Sequence, residues 1–142
     1  MTSNVLIDLE EELGAESQIG SQRVAIYIPN RDRNELEIKD IDAWVSAAME
    51  VFVTINGGVT KLATASGIWH DTDNNKRVYE DSTIVYSNIM NAKVFADNLD
   101  KLKKFLHKFG RETNQGEVMV EFMGETDDEF QFKIYSIKKY VN

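Results

Sequence analysis

The sequence contains no cysteine and only one proline among its 142 residues. Without cysteine, the chain has no disulfide framework, no thiolate ligand for zinc or an iron–sulfur cluster, and no cysteine nucleophile. Its apolar runs stay below the roughly 18 residues that span a bilayer, and residues 1–8 lack the basic and apolar regions of a signal peptide. These absences predict a cytoplasmic protein that does not enter a membrane.

Basic residues are also scarce, because 16 Lys and Arg face 24 Asp and Glu and the net charge is −8. Residues 1–20 contain five acidic residues and no Lys or Arg, so they contribute −5 and leave −3 for the rest of the chain. A negative surface repels a phosphate backbone, which argues against general nucleic-acid binding. A small basic pocket for an anionic ligand remains compatible with this charge.

The acidic N-terminal segment carries Leu6, Leu9 and Leu13 at helical spacing. A helix this short is marginal on its own in water, and a linker containing Gly, Ser and Gln follows it. We predict an acidic arm at residues 1–20 and a single domain at residues 21–142. The arm either docks its leucines on the same or a neighbouring chain, or is a disordered solubilising segment.

The remaining sequence predicts five strands from alternating or β-branched residues and two helices from helical periodicity. The strands are expected at residues 23–29, 59–64, 77–86 (interrupted near Asp81), 117–123 and 130–135, and the helices at 41–56 and 92–109. Asp40 is the expected N-cap of the first helix, and Gly110 the expected end of the second. This order predicts an α+β fold, a ferredoxin-like split β-α-β-β-α-β sandwich with an extra C-terminal strand.

Two helices cover only one face of such a sheet. The other face is expected to carry Tyr and Phe side chains, and an exposed face of this kind needs a cover or a partner. The pattern therefore predicts a homodimer or a higher homo-oligomer.

The densest polar segment, residues 110–117, lies between the second helix and the fourth strand. Loops on rigid scaffolds often carry function. Arg111 offers a planar fork for a carboxylate or phosphate, and Gln115 suits an amide or the edge of a base. The alternative is a solvated loop in which Arg111 and Glu112 pair with neighbouring side chains.

A second group of candidates lies on the hairpin and in the first loop. Trp69, at the end of a strand, either stacks on a flat ligand or plugs the rim of the core. Glu80 either accepts hydrogen bonds from Arg111 or a substrate, or is an ordinary surface residue. Arg31 and Arg33 either complete a basic pocket beside Arg111 or belong to a solvated turn.

Metal and cofactor signatures are missing from the sequence. His70 and His107 are the two histidines, and no other metal-ligating residue type lies at helical spacing from His107. The segment at 70–73 lacks the Gly and the final Glu of an EF-hand loop. There is no nucleophile elbow, Walker loop or dinucleotide fingerprint. We therefore predict no metal and no cofactor.

Three motifs carry a resemblance to a known family: GGVT at residues 57–60, GIW at 67–69 and GRETNQGEV at 110–118. Together with Glu80 and the strand IYIP at 26–29, they resemble a family of small, functionally uncharacterised bacterial and phage proteins. The resemblance covers about residues 22–123 and implies the split fold. It also implies that a shared site is formed by Trp69, Glu80, Arg111, Glu112 and Gln115. It implies no activity.

The main functional hypothesis is a non-enzymatic binding module for a small anionic or nucleotide-like ligand or a protein partner. One version is a phage-type sponge for a nucleotide signal. Its basis is that the polar cluster contains no evident pair of nucleophile and base. One alternative is a small hydrolase or isomerase with Glu80 or Glu112 as general base. A third is a regulatory protein that acts through its acidic arm. The ligand-binding and enzyme hypotheses require the loop at 110–117 to fold beside the tryptophan-bearing hairpin.

Overall fold

The computed structural model describes residues 7–142. These residues contain six antiparallel strands and four helices. The strands are β1 (Gln22–Pro29), β2 (Thr60–Lys61), β3 (Ala65–Asp71), β4 (Lys76–Ile89), β5 (Val118–Thr126) and β6 (Glu129–Ile137). The helices are α1 (Leu9–Leu13), α2 (Ile41–Asn56), α3 (Ala92–Asp97) and α4 (Leu99–Glu112). The predicted α+β class is therefore confirmed.

The strands form one sheet in the order β2-β4-β1-β5-β6, and β3 also pairs with β4. The crossover through α2 places β4 between β1 and β2, and the crossover through α3 and α4 places β1 between β4 and β5. All neighbouring strands are antiparallel. This is the strand order of the split β-α-β-β-α-β arrangement, with β6 as the extra edge strand.

The core lies between the sheet and helices α2 and α4. Alternate residues of β1, Val24, Ile26 and Ile28, point into it, where they join Phe52 of α2 and Phe109 of α4. Phe52 is fully buried. This packing anchors the sheet that carries the candidate site on its opposite face.

The opposite face of the sheet has no helix over it within the described residues. Successive residues of a strand point to opposite faces, so Tyr27 of β1, between the buried Ile26 and Ile28, lies on this open face. The register that pairs Tyr27 with Ile84 and Ala25 with Glu121 places Glu80 of β4 and Met119 of β5 on it too.

The second predicted helix differs from the structure at two points. It is divided at Asn98, whose side-chain Nδ2 donates to the Val94 carbonyl at 2.8 Å, a local bond that competes with helix geometry. The predicted end at Gly110 is wrong, because α4 continues to Glu112. Gly110 lies under the ring of Tyr140, where a Cβ atom would overlap the ring.

The hairpin also differs from its prediction. The predicted strand at 59–64 is reduced to two residues of β2, and β3 forms separately. The predicted break near Asp81 is wrong, because β4 runs unbroken through 14 residues. Asn30 supports this point: its backbone N–H donates to the Asp81 carbonyl at 2.8 Å, and its Oδ1 accepts from the Asp81 N–H at 3.1 Å.

The first predicted helix ends as expected at Asn56, followed by Gly57 with a φ of 81°. Asp40 occupies the N-cap position of α2, but its side chain makes no capping hydrogen bond. No helix within residues 7–142 has the length and apolar character needed to cross a membrane.

The described part of the N-terminal arm is exposed from Ile7 to Gly20. Helix α1 buries no residue, and Leu9 and Leu13 remain 60% and 75% exposed. Leu6 lies outside the described residues. The docking of this arm on a neighbouring chain stays a prediction.

Deletion of residues 1–20 is expected to leave the unfolding temperature within about 2 °C of the full-length value, because the described residues 7–20 are exposed and changes at exposed sites alter stability by only about 0.5 kcal/mol. Thermal unfolding and the mass in solution should both be measured on the two proteins. A fall of many degrees would contradict the exposed state of residues 7–20, and a smaller number of chains per assembly in the deletion variant would support docking of the arm on a second copy.

Candidate functional site

A recess of about 180 Å³ opens on the helix-free face of the sheet, near the end of β1. Its floor is formed by Tyr27, Glu80 and Met119, one from each of the three central strands. Its walls come from β3, from the loop after β1 and from the loop after α4. The sheet therefore provides a rigid base and the two loops provide the rim.

Strand register brings Trp69 and Glu80 together. Gly67 pairs with Glu80 and Trp69 pairs with Val78, so Trp69 and Glu80 are diagonal neighbours on the same face of the hairpin. Both line the recess. The Trp69 ring is 38% exposed, so part of its surface remains accessible to a ligand.

The two loops of the rim are tied together by hydrogen bonds. Arg33 donates its backbone N–H to the Asn114 carbonyl at 3.0 Å. Buried Gln115 donates its Nε2 to the Arg31 carbonyl at 3.1 Å and to Thr113 Oγ1 at 3.2 Å. Gln115 of the loop after α4 lines the same recess as Trp69 and Glu80, so this loop lies beside the tryptophan-bearing hairpin, as the sequence hypotheses required.

Glu80 is the carboxylate with the most perturbed environment in the recess. Burial raises its pKa above the ordinary value, the Trp69 indole N–H lowers it, and the negative charge of Glu117 raises it further. A half-buried carboxylate with a raised pKa, facing a second carboxylate, is typical of functional sites.

Glu117 is held at the opposite side of the recess. Its Oε2 accepts a hydrogen bond from Ser136 Oγ at 3.0 Å, and Lys138 Nζ lies 3.9 Å from the same oxygen. With Asp32, Glu80 and Glu117 against Arg33, the lining has more negative than positive groups. The recess is therefore suited to a ligand that carries positive charge.

Tyr27 contributes an aromatic surface to the floor. Its hydroxyl donates to Glu121 Oε1 at 3.0 Å. The pKa of Tyr27 is raised by burial, by this hydrogen bond and by the charge of Glu121. The hydroxyl therefore stays protonated at neutral pH and fixes the ring in place.

The structure gathers four of the seven predicted site residues in the recess: Arg33, Trp69, Glu80 and Gln115. Their role in ligand binding stays a prediction. Gln115 lines the wall, but its amide nitrogen is committed to Arg31 and Thr113.

Arg111, Glu112 and the Arg31 side chain do not line this recess, contrary to the shared site that the resemblance implied for the first two. Arg111 Nη1 donates to the Val141 carbonyl at 3.0 Å on the outer side of α4, and Glu112 is exposed. Arg31 Nη1 donates to the Glu35 carbonyl at 3.2 Å. The continuation of α4 past Gly110 directs Arg111 away from Glu80.

Sequence reasoning missed Tyr27, Met119 and Glu117 as members of the site. Strict alternation was the available signal, because Tyr27 lies between two buried isoleucines and must face the other side of the sheet. Met119 and Glu117 follow the same alternation ahead of the buried Val120. Across residues 7–142, no group of three or more His, Asp or Glu side chains is placed to hold a metal ion.

Comparison with known proteins gives structural matches but no sequence family. No protein-family model matches the chain, and no curated protein matches it. The fold is shared with a phage SAM lyase. Its complex with S-methyl-5'-thioadenosine has a TM-score of 0.62 and 15% identity, covering 87% of this chain and 95% of that chain. Its apo state has a TM-score of 0.57 and 16% identity, covering 88% and 94%.

This likeness shows the fold alone, because the identities are low. The match spans 87% and 88% of this chain and 95% and 94% of the other chains. The predicted family of bacterial and phage proteins stays a prediction.

Proposed function

We propose that the recess binds an adenosine with a sulfur substituent at its 5' position, and that the protein cleaves S-adenosylmethionine (SAM) to S-methyl-5'-thioadenosine. The observation that carries the proposal is the lining of the recess. It combines two aromatic rings, three carboxylates and one guanidinium, on a fold shared with a phage SAM lyase whose structure is a complex with S-methyl-5'-thioadenosine.

The groups of SAM have chemical counterparts in this lining. The flat adenine suits the ring of Trp69 or Tyr27, and an aromatic face also attracts a sulfonium cation. Glu80 and Glu117 suit the positive sulfonium and ammonium groups. Arg33 suits the carboxylate, because its fork can donate two parallel hydrogen bonds, and within residues 7–142 its guanidinium forms neither a hydrogen bond nor a salt bridge.

The reaction is deduced by comparing the chemical structures of SAM and S-methyl-5'-thioadenosine. S-Methyl-5'-thioadenosine is what SAM leaves when the bond between sulfur and the aminocarboxypropyl group breaks. In the proposed step a base removes a proton from the carbon next to the one bonded to sulfur, and the electrons of that C–H bond form a carbon–carbon double bond. The electrons of the broken carbon–sulfur bond remain on sulfur, which becomes neutral, and the second product is the unsaturated amino acid 2-aminobut-3-enoate. We assign the reacting end of SAM to Glu80, because it is the carboxylate of the lining whose pKa is raised by burial. This keeps the general-base role that the sequence suggested for Glu80 and gives none to exposed Glu112.

The size of the recess bears on the predicted homo-oligomer. About 180 Å³ is less than the roughly 300 Å³ of the smallest typical ligand pockets, so part of the nucleoside must extend over the open face. Exposed apolar side chains of β5 and β6 continue this face, among them Met123, Phe132 and Ile134. We propose that a second copy of the chain covers it.

The direct test is incubation of the protein with SAM, followed by liquid chromatography and mass spectrometry. We expect SAM to disappear and S-methyl-5'-thioadenosine to accumulate in equal amount. Calorimetry should show binding of S-methyl-5'-thioadenosine at one site per chain. Arg77→Ala is the matched control, because it removes an exposed arginine of β4 that does not line the recess. Absence of both binding and turnover in the wild-type protein would end this proposal.

A binding module without turnover is the second candidate. It is favoured because Gln115 and Tyr27 make their hydrogen bonds to other groups of the protein. Neither side chain therefore forms a pair of nucleophile and base in the recess. Binding of SAM that remains intact after prolonged incubation would select this candidate. A sponge for a nucleotide with several phosphates is less well supported, because the phosphates would meet three carboxylates and one arginine.

The affinity for SAM is expected to depend on pH. The pKa of Glu80 is raised, so lowering the pH neutralises Glu80 before an ordinary carboxylate and removes its attraction for a cation. From about pH 7 to about pH 4, SAM should lose about tenfold more affinity than S-methyl-5'-thioadenosine, which has no sulfonium charge. The KM for SAM, which the protein consumes, and the Kd for S-methyl-5'-thioadenosine give the ratio at each pH, and a ratio that does not change with pH would contradict this role of Glu80.

A further inference from the structure

The residues after β6 return to helix α4 and contact it through Tyr140. The Tyr140 hydroxyl donates to the Gln115 carbonyl at 2.9 Å, behind the wall of the recess. The ring fills the space over Gly110, where any Cβ atom would overlap it. A glycine inside a helix is otherwise unfavourable. The space that the Tyr140 ring occupies explains why position 110 has no side chain.

The chain is also fastened on the far side of Tyr140. The Val141 backbone N–H donates to His107 Nδ1 at 2.9 Å, and its carbonyl accepts from Arg111 Nη1 at 3.0 Å. The His107 and Tyr140 rings meet edge to face, with centroids 6.2 Å apart. These contacts account for Gly110 and Arg111, two residues of the polar segment that the recess does not use.

The same C-terminal region holds the side chain of Glu117. Ser136 donates to Glu117 Oε2, and Lys138 lies close to that oxygen. One stretch of chain, residues 136–140, therefore fixes both the backbone carbonyl of Gln115 and the carboxylate of Glu117. Between these two points lies Gly116, which also lines the recess.

Tyr140 is electrostatically linked to the recess. Burial and the charge of Glu117 raise the pKa of Tyr140 to about 12, while Arg33 lowers it. The hydroxyl therefore remains a protonated donor at neutral pH, and its bond to Gln115 persists over the whole range in which ligand binding would be measured.

We propose that Tyr140 is a positioning residue, which holds the segment at 115–117 so that Glu117 faces Glu80 across the recess. Its effect on ligand affinity rests on the proposed function, but its effect on the segment does not. The proposal therefore makes one claim about local order in the free protein and one about affinity for S-methyl-5'-thioadenosine.

The test uses Tyr140→Phe, which removes the hydroxyl and keeps the ring. We expect faster hydrogen exchange of the Gln115 amide, which donates to the Gly110 carbonyl at 2.9 Å, and an unfolding temperature lower by only a few degrees, as one lost hydrogen bond produces. Affinity for S-methyl-5'-thioadenosine should fall about fivefold, the effect of losing one hydrogen bond. Tyr135→Phe is the matched control, because Tyr135 is a half-exposed tyrosine of β6.

A second variant tests the packing of the Tyr140 ring on Gly110. Gly110→Ala should lower the unfolding temperature in the wild-type background and should raise it or leave it unchanged in a Tyr140→Ala background, where the ring no longer competes for the space. Equal effects in both backgrounds would overturn the packing of Tyr140 on Gly110.

Two results would overturn the positioning role. In the first, Tyr140→Phe leaves both the exchange of the Gln115 amide and the ligand affinity unchanged. In the second, exchange accelerates across the whole domain and the unfolding temperature falls by many degrees, as a merely structural residue would show. If the wild-type protein binds no nucleoside, the proposed function fails, and the exchange measurement still decides the role of Tyr140 in the free protein.

Discussion

Replacement of Glu80 with glutamine is expected to slow the cleavage of SAM by about 100-fold or more, the usual range for loss of a positioned acid or base. Glutamine keeps the shape of the side chain and removes its charge, so it removes the attraction for the sulfonium and any transfer of a proton. The rate of S-methyl-5'-thioadenosine formation at saturating SAM measures the effect. Glu112→Gln is the control, because Glu112 is exposed at the end of α4.

The same change is expected to raise the unfolding temperature at neutral pH. The pKa of Glu80 is higher in the folded state than its ordinary value, chiefly because of burial. Folding therefore favours the protonated form, and stability is lost as the pH rises through the raised pKa. Glutamine, which is neutral at every pH, avoids this loss.

The stabilisation should disappear when unfolding is measured below the ordinary pKa of a glutamate, where Glu80 is protonated in both states. A variant that is more stable and less active is typical of a residue retained for function. Unchanged turnover in Glu80→Gln would remove Glu80 from the reaction, whatever its effect on stability.

Replacement of Trp69 with alanine is expected to weaken the binding of S-methyl-5'-thioadenosine by about 5- to 150-fold, since stacking of a base on an aromatic ring contributes about 1–3 kcal/mol. Calorimetry measures the change directly. Trp69→Phe, which keeps a smaller aromatic face, should retain most of the affinity.

Ile68→Ala is the matched control for Trp69. Ile68 is the preceding residue of β3, it points to the other face of the hairpin, and it is 61% exposed. We expect it to bind the ligand as the wild-type protein does. Equal affinity in Trp69→Ala and Ile68→Ala would show that the adenine does not lie on Trp69.

Much of the fold was predictable from local pattern. Alternation in β1 and helical periodicity in α2 define elements whose apolar residues all meet in one core, and the observed bounds of both agree with the prediction within a residue. The order of these elements restricts the sheet to a few arrangements, because crossovers between strands follow fixed rules. The split β-α-β-β-α-β order was one of them.

The errors in the elements have a common cause in contacts between distant residues. Gly110 has the local character of a helix end, yet Tyr140, 30 residues later, packs on it and the helix continues. Asp81 resembles a break in a strand, yet Asn30 completes its backbone hydrogen bonds from the first loop. A local pattern contains no information about such partners.

In the candidate site, too, local sequence pattern determined some features and contacts between distant residues determined the others. Sequence alone determined the fold class and marked Trp69, Glu80, Arg33 and Gln115 as candidates, because residue chemistry and alternation are local properties. Only the tertiary structure decided that Tyr27 and Glu117 join them and that Arg111 does not. Each added residue turns an α-helix by about 100°, so the extension of α4 past Gly110 was enough to direct Arg111 to Val141 instead of the recess.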